Sequence, residues 1–162
     1  MMNMTDREAQ ECITDFHEEG YEFLSNFYEA GVTYGGLTYR NNEAAFQAQK
    51  CMSEEEKLPF TAAAPAKSKR LGRRVRLRPD WEQVKFGIME EIVRAKFTQN
   101  PELAGRLLAT GDKALVEGNR WGDKCWGVDV RTGEGENHLG KILMKVREEL
   151  RTRGETAGEK EG

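Results

Sequence analysis

Glu43 follows Asn41-Asn42 and opens a run of good helix formers, Ala44 to Met52. An asparagine cap with a first-turn carboxylate is ordinary helix chemistry, because an acid there meets the positive end of the helix dipole. The chemical alternative comes from what precedes it. Tyr21, Phe23, Phe27, Tyr28, Tyr34 and Tyr39 crowd the upstream segment, and a carboxylate beside aromatic rings has a drier environment in which its proton affinity can be tuned. Along the helix, Glu43, Gln47 and Lys50 form one polar stripe. Trp126 and Asp129 are a second candidate pair. They read either as core packing with a turn aspartate, or as a base-stacking platform with a polar reader beside it. The third feature is charge. Lys67, Lys69, Arg70, Arg73, Arg74, Arg76 and Arg78 lie between Pro65 and Pro79 without an acid among them, so this stretch carries +7 in a chain of net charge −3. That density exceeds what a solvated face needs for solubility and suits an anionic partner.

Other chemistries are excluded by what the 162 residues lack. There is no P-loop, no GxGxxG after a strand, no HExxH, no GxSxG and no EF-hand loop. Cys12, Cys51 and Cys125 are odd in number and far apart, unlike a disulfide framework or a CxxC metal site, and read as reduced thiols. His17 and His138 are too few for a His-rich metal centre. Acid–base chemistry is left to carboxylates. No apolar run approaches the roughly 20 residues of a membrane span, and Met1 to Glu8 lack the apolar stretch of a secretory signal, so the expected location is the cytoplasm with no membrane partner.

The elements that must position these groups read as follows. Gly35-Gly36 between aromatic and β-branched residues predicts a hairpin. Helices are expected from Ala44 to Met52, from Pro65 to about Gly72, from Asp80 onward, from Glu102 to Leu108, and from Asn137 to about Leu150. In the third of these, Asp80 is the expected N-cap, Gln83 its capping-box partner, and Trp81, Val84, Ile88, Ile92 and Ala95 the core stripe. Ala114 to Glu117 and Cys125 to Val128 read as short buried strands. Residues 1–15 and 151–162 are polar or Gly- and charge-rich and are expected to be flexible, leaving one domain over 16–150. The class is α+β, a helix-dominated single domain with a small strand component.

Four blocks carry a resemblance: Phe23-Leu24-Ser25-Asn26-Phe27-Tyr28, Tyr39-Arg40-Asn41-Asn42-Glu43-Ala44-Ala45-Phe46-Gln47-Ala48-Gln49-Lys50, Trp126-Gly127-Val128-Asp129, and Asn137-His138-Leu139-Gly140-Lys141 on to Arg147. Together with Ala66 to Arg73 and Asp80-Trp81-Glu82, they resemble the signature of the YbiA-like, or NADAR, superfamily, in order and with its spacing. The resemblance implies an α+β fold and an N-glycosidase acting on a phosphorylated riboside of the riboflavin-intermediate type, with release of ribose 5-phosphate. Its alternatives are an ADP-ribosyl hydrolase acting on ADP-ribosylated guanine in DNA or another NAD-derived substrate, and a non-catalytic ADP-ribose or nucleotide-binding module. No metal and no cofactor are expected. Nucleic acid would enter only as ADP-ribosylated substrate.

By the same resemblance Glu43 matches the key glutamate, Trp126 the tryptophan of the Trp-Gly block, and Trp81 a further site tryptophan. Some members carry an aspartate at the position of Val128; here the acid is Asp129, the candidate second catalytic group. An N-riboside cleaves through an oxocarbenium-like centre, which a carboxylate stabilises while it activates water. Glu43 is expected in that role, Trp126 stacked on the base, Asp129 or Asn26 at the ribose or base, and Lys67, Arg70 and Arg73 at the phosphate.

Overall fold

The computed structural model describes residues 12–161. In chain order these are strand β1 (Cys12–Ile13), a 3-10 turn (Glu22–Leu24), β2 (Glu29–Tyr34), β3 (Leu37–Asn41), helix α1 (Asn42–Ala48), α2 (Glu54–Lys57), a second 3-10 turn (Leu58–Ala62), α3 (Pro65–Gly72), α4 (Trp81–Gln99), α5 (Pro101–Ala109), β4 (Ala114–Leu115), β5 (Gly118–Asn119), β6 (Val128–Asp129) and α6 (His138–Glu161). The α+β, helix-dominated class expected from the sequence holds. Within it, packing gathers in two compact units: Ser25–Leu103, and the flanking chain up to Leu24 together with Ala104 onward.

In the unit Ser25–Leu103, β2 and β3 pair antiparallel with Tyr34 opposite Leu37 and Val32 opposite Tyr39. Gly35 and Gly36 turn the chain with φ of 60° and 86°, the paired left-handed conformation that a two-residue hairpin needs. Asn41 caps α1 as predicted: its side chain accepts from the Ala44 N–H at 2.8 Å. All seven residues of α1 are buried, because it packs against β3, α3 and α4. The core adds Val32, Tyr39, Phe46, Phe60, Met89, Ile92, Val93 and Phe97, each large apolar side chain there stabilising by roughly 1.5–3 kcal/mol. Pro65 opens α3 at its first position, where the missing N–H costs nothing.

The start of α4 departs from expectation. Asp80 makes no side-chain cap; its carboxylate accepts two bonds from the Arg78 guanidinium, at 2.6 and 2.9 Å. A bidentate charge-assisted fork outcompetes a backbone N–H. The buried face of α4 is also rotated from the predicted stripe: Met89, Val93 and Lys96 are buried, whereas Val84, Ile88 and Ala95 are half-buried.

In the other unit, β1 pairs parallel with β4, and β5 with β6. Leu139, Ile142, Leu143 and Val146 of α6 are buried, and α6 packs on β4. The helix runs past Leu150, its expected end, to Glu161. Arg151 carries it onward, bonding Glu148 one turn back at 2.8 Å and the Gly111 carbonyl at 2.9 Å. At the other end, Cys12–Ile13 is a strand within the segment expected to be flexible, and residues 1–11 lie outside the described part. Among the described residues no helix is long and apolar enough to cross a membrane.

Candidate active site

The stripe Glu43, Gln47, Lys50 faces inward. Glu43 is only 6% exposed and Gln47 7%. The Glu43 N–H donates to the Asn26 carbonyl at 3.0 Å, and Gln47 Nε2 donates to Glu43 Oε1 at 2.9 Å. A first-turn glutamate serving solubility would sit in water, whereas this one is taken into the unit and aimed by an amide. Asn26 is buried as well; its Oδ1 accepts from Asn42 Nδ2 at 3.3 Å and its Nδ2 meets Met89 Sδ at 3.5 Å. Two amide oxygens here, Asn42 Oδ1 and Gln47 Oε1, are buried with no hydrogen-bond partner. Leaving a buried acceptor unpaired costs about 1–3 kcal/mol.

Gly72 makes room for this arrangement. A Cβ at Gly72 would lie 2.0 Å from Gln47 Oε1, so only glycine lets α3 approach α1 with Gln47 in place.

Lys50, just past the end of the carboxylate's helix, feels both its charge and those of neighbouring cations. Burial pushes the half-buried Lys50 ammonium below its ordinary pKa; the Glu43 charge works against that shift, and Arg73, Lys69 and Lys85 add to it. Lys50 Nζ also lies 5.8 Å from the centroid of the Trp81 ring, and Lys69 Nζ 5.2 Å from that of Phe27. On α3 Lys69 is half-buried and lies one turn before buried Gly72, whereas Lys67, Arg70 and Arg73 are exposed. The positive groups that act on Lys50 are therefore Lys69, Arg73 and Lys85, of which the sequence reading named only Arg73 as a phosphate ligand. Helical spacing from Gly72 could have picked out Lys69; Lys85 carried no signal.

The three aromatic and acidic candidates differ in setting. Trp81 is 5% exposed and packs on Phe46, ring centroids 5.0 Å apart, so it forms a wall rather than an open stacking face. Trp126 and Asp129 belong to the other unit. Trp126 is half-buried, with its ring edge-on to His138 at 6.2 Å and 69°. Asp129 is 3% exposed. Its Oδ1 accepts from the Arg131 backbone N–H at 2.9 Å and from Arg131 Nε at 3.4 Å, and these bonds hold its carboxyl below the usual carboxylate range. Its carbonyl receives the Thr132 and Gly133 N–H groups. Asp129 thus anchors a turn as an ionised acid.

The sequence reading also passed over Lys96. It is 1% exposed, its Nζ donates to the Ser25 carbonyl at 3.0 Å, and burial lowers its pKa to about 7. Its place four and three residues after Ile92 and Val93, on an apolar face, was the available signal.

Comparison with known proteins adds a second line. A family model described as NADAR domain matches residues 7–151. The N-glycosidase YbiA of Escherichia coli (strain K12) is 38% identical over 146 residues, which cover 87% of this chain and 90% of that protein. An N-glycosidase of Nostoc punctiforme is 39% identical over 137 residues, 81% of this chain and 86% of that protein. A riboflavin biosynthesis protein of Vibrio vulnificus is 42% identical over 137 residues, 82% of this chain; the chain spans only 36% of that relative's length. The solution NMR structure of E. coli YbiA superposes with a TM-score of 0.78 at 36% identity, covering 89% of this chain and 88% of that one.

Proposed function

The chain belongs to the NADAR domain family and is an N-glycosidase, and we propose that it cleaves the N-glycosidic bond of a phosphorylated ribosyl compound beside Glu43, releasing ribose 5-phosphate. The observation that carries this reading is a buried carboxylate, fixed by Gln47 and coupled to Lys50, on which Lys69 and Arg73 also act. A sugar phosphate needs both signs of charge: a negative group at the anomeric carbon and positive groups at the phosphate.

In the proposed reaction the bond from the anomeric carbon to the base nitrogen breaks, and its electron pair leaves with the base. The ribosyl centre becomes oxocarbenium-like, which the Glu43 charge stabilises in a site where little water screens it. Glu43 also orients a water molecule and takes its proton as the oxygen adds to the anomeric carbon. The proton taken by Glu43 passes to the departing base nitrogen, which leaves Glu43 ionised again. Gln47 holds Oε1 and so fixes the carboxylate rotamer. Lys69 and Arg73 anchor the phosphate away from the breaking bond. Lys67 and Arg70, exposed and not among the charges acting on Lys50, draw the anion in rather than hold it. Every group in this mechanism belongs to the unit Ser25–Leu103.

A second reading, removal of ADP-ribose from guanine in DNA, is favoured by the further exposed charges of Arg74 and Arg76, more than one phosphate requires. A mass-spectrometric panel separates the two. The protein is incubated with phosphorylated riboflavin-type ribosides, NAD, ADP-ribose and ADP-ribosylated DNA. Ribose 5-phosphate from the first group is the expected product; ADP-ribose released from the DNA alone would move the assignment to the second reading.

A further inference from the structure

We propose that Cys125, Glu136 and His138 form a binding site for one zinc ion. A cysteine sulfur, an imidazole nitrogen and a carboxylate oxygen from these residues lie within 4.8 Å of one another. They are a zinc-type ligand set of borderline and soft donors, and three protein ligands leave a fourth position for water. Tetrahedral zinc, with Zn–S of about 2.3 Å and Zn–N of about 2.0 Å, sets donor atoms about 3.5 Å apart, within reach of small side-chain rotations here.

The backbone holds the three together without help from the ion. Glu136 N–H donates to the Lys124 carbonyl at 2.7 Å, His138 N–H to Cys125 at 3.2 Å and Leu139 N–H to Trp126 at 3.0 Å, lacing the two segments side by side. Between Glu136 and His138, Asn137 adopts φ of 53°, the only positive value at a non-glycine residue among those described. Its side chain locks that conformation, Nδ2 donating to the Leu115 carbonyl and Oδ1 accepting from the Glu117 N–H, both at 3.0 Å. Strain of this kind, about 1–3 kcal/mol, persists only where the surroundings enforce it. Here it turns Glu136 and His138 toward Cys125. On the other side Asp123 Oδ1 accepts from the N–H groups of Cys125 and Trp126 at 3.0 and 2.9 Å. His138 Nε2 and Glu136 Oε2 already meet at 2.8 Å. His138 and Cys125 are half-buried and Glu136 is exposed, so the ion has a path in.

The test uses the full chain, reduced and stripped with a chelator. Zn²⁺ is titrated against a chromophoric competitor, and Co²⁺ serves as a spectroscopic probe. One equivalent is expected to bind with Kd below about 1 μM, with a sulfur-to-cobalt charge-transfer band. Cys125→Ser and His138→Ala are expected to weaken binding by more than about 100-fold, beyond what outer-shell partners reach, and Cys125→Ser to remove the band. Glu136→Gln changes an exposed side chain, keeps the fold, and is expected to weaken binding at least about tenfold. Absence of binding by the reduced protein, or unchanged affinity in Glu136→Gln together with an unchanged cobalt spectrum in Cys125→Ser, would overturn the assignment.

Discussion

Glu43 is held at 2.9 Å by Gln47, and Lys50, which feels its charge, is also acted on by Arg73, Lys69 and Lys85. The cations of α3 and its cap differ in whether they act on Lys50, and their substitutions separate accordingly. Lys69→Ala and Arg73→Ala are expected to raise KM for a phosphorylated substrate by roughly tenfold, about 1.4 kcal/mol each, with kcat little changed. Lys67→Ala and Arg70→Ala are expected to stay within about twofold. Steady-state kinetics of the four variants decides this, and a larger effect at Lys67 or Arg70 would return the phosphate to those residues. Lys96 makes a different prediction. Its folded pKa, about 7, lies below the ordinary 10.5, so between those values the unfolded chain binds a proton that the folded chain lacks, and stability rises with pH. Below the lower value both states are protonated and the burial cost is present in full. Urea denaturation from about pH 7 to about pH 9 is expected to show wild type gaining up to about 1.4 kcal/mol per pH unit over Lys96→Met. Parallel slopes would show that Lys96 keeps its ordinary proton affinity.

At the scale of elements, the approach of α3 to α1 sets the carboxylate. Gly72→Ala would put a Cβ 2.0 Å from Gln47 Oε1 and 2.8 Å from its Cδ, forcing Gln47 off Glu43. The expected cost is about 1–3 kcal/mol of stability and at least a tenfold or so drop in turnover from the misplaced carboxylate. A urea midpoint and a kcat measured together check both; wild-type values for the two would mean α3 yields freely. The elements were legible in the sequence where local chemistry decides them: Asn41 as a cap, Pro65 as an opener and Gly35-Gly36 as a turn each act within a few residues. Asp80 misled because its competitor, Arg78, is a side chain rather than a backbone pattern. Glu43 was legible as a candidate through its motif, but its burial was not, since a polar stripe reads as solvated until α3 and α4 cover it. Likewise Cys125 meets Glu136 and His138 only through backbone bonds between distant segments.

Over the whole molecule, a net charge of −3 conceals a +7 segment. Two of its members, Lys69 and Arg73, act on Lys50, and all but Lys69 and Arg78 of the seven are exposed, so most of the segment's charge is available for long-range attraction. Added salt, which shortens the Debye length to about 3 Å at 1 M, is therefore expected to raise KM for a phosphorylated riboside and to leave KM for its unphosphorylated counterpart nearly unchanged. Equal salt dependence for both would remove the basic segment from substrate capture. In the proposed reaction Glu43 carries the bond cleavage. Its most direct test is turnover of Glu43→Gln on the riboside that the product panel identifies, with circular dichroism and a urea midpoint measured on the same preparation. A loss of about two to four orders of magnitude in kcat with the fold intact is predicted; a folded variant that turns over within about twofold of wild type would contradict the account.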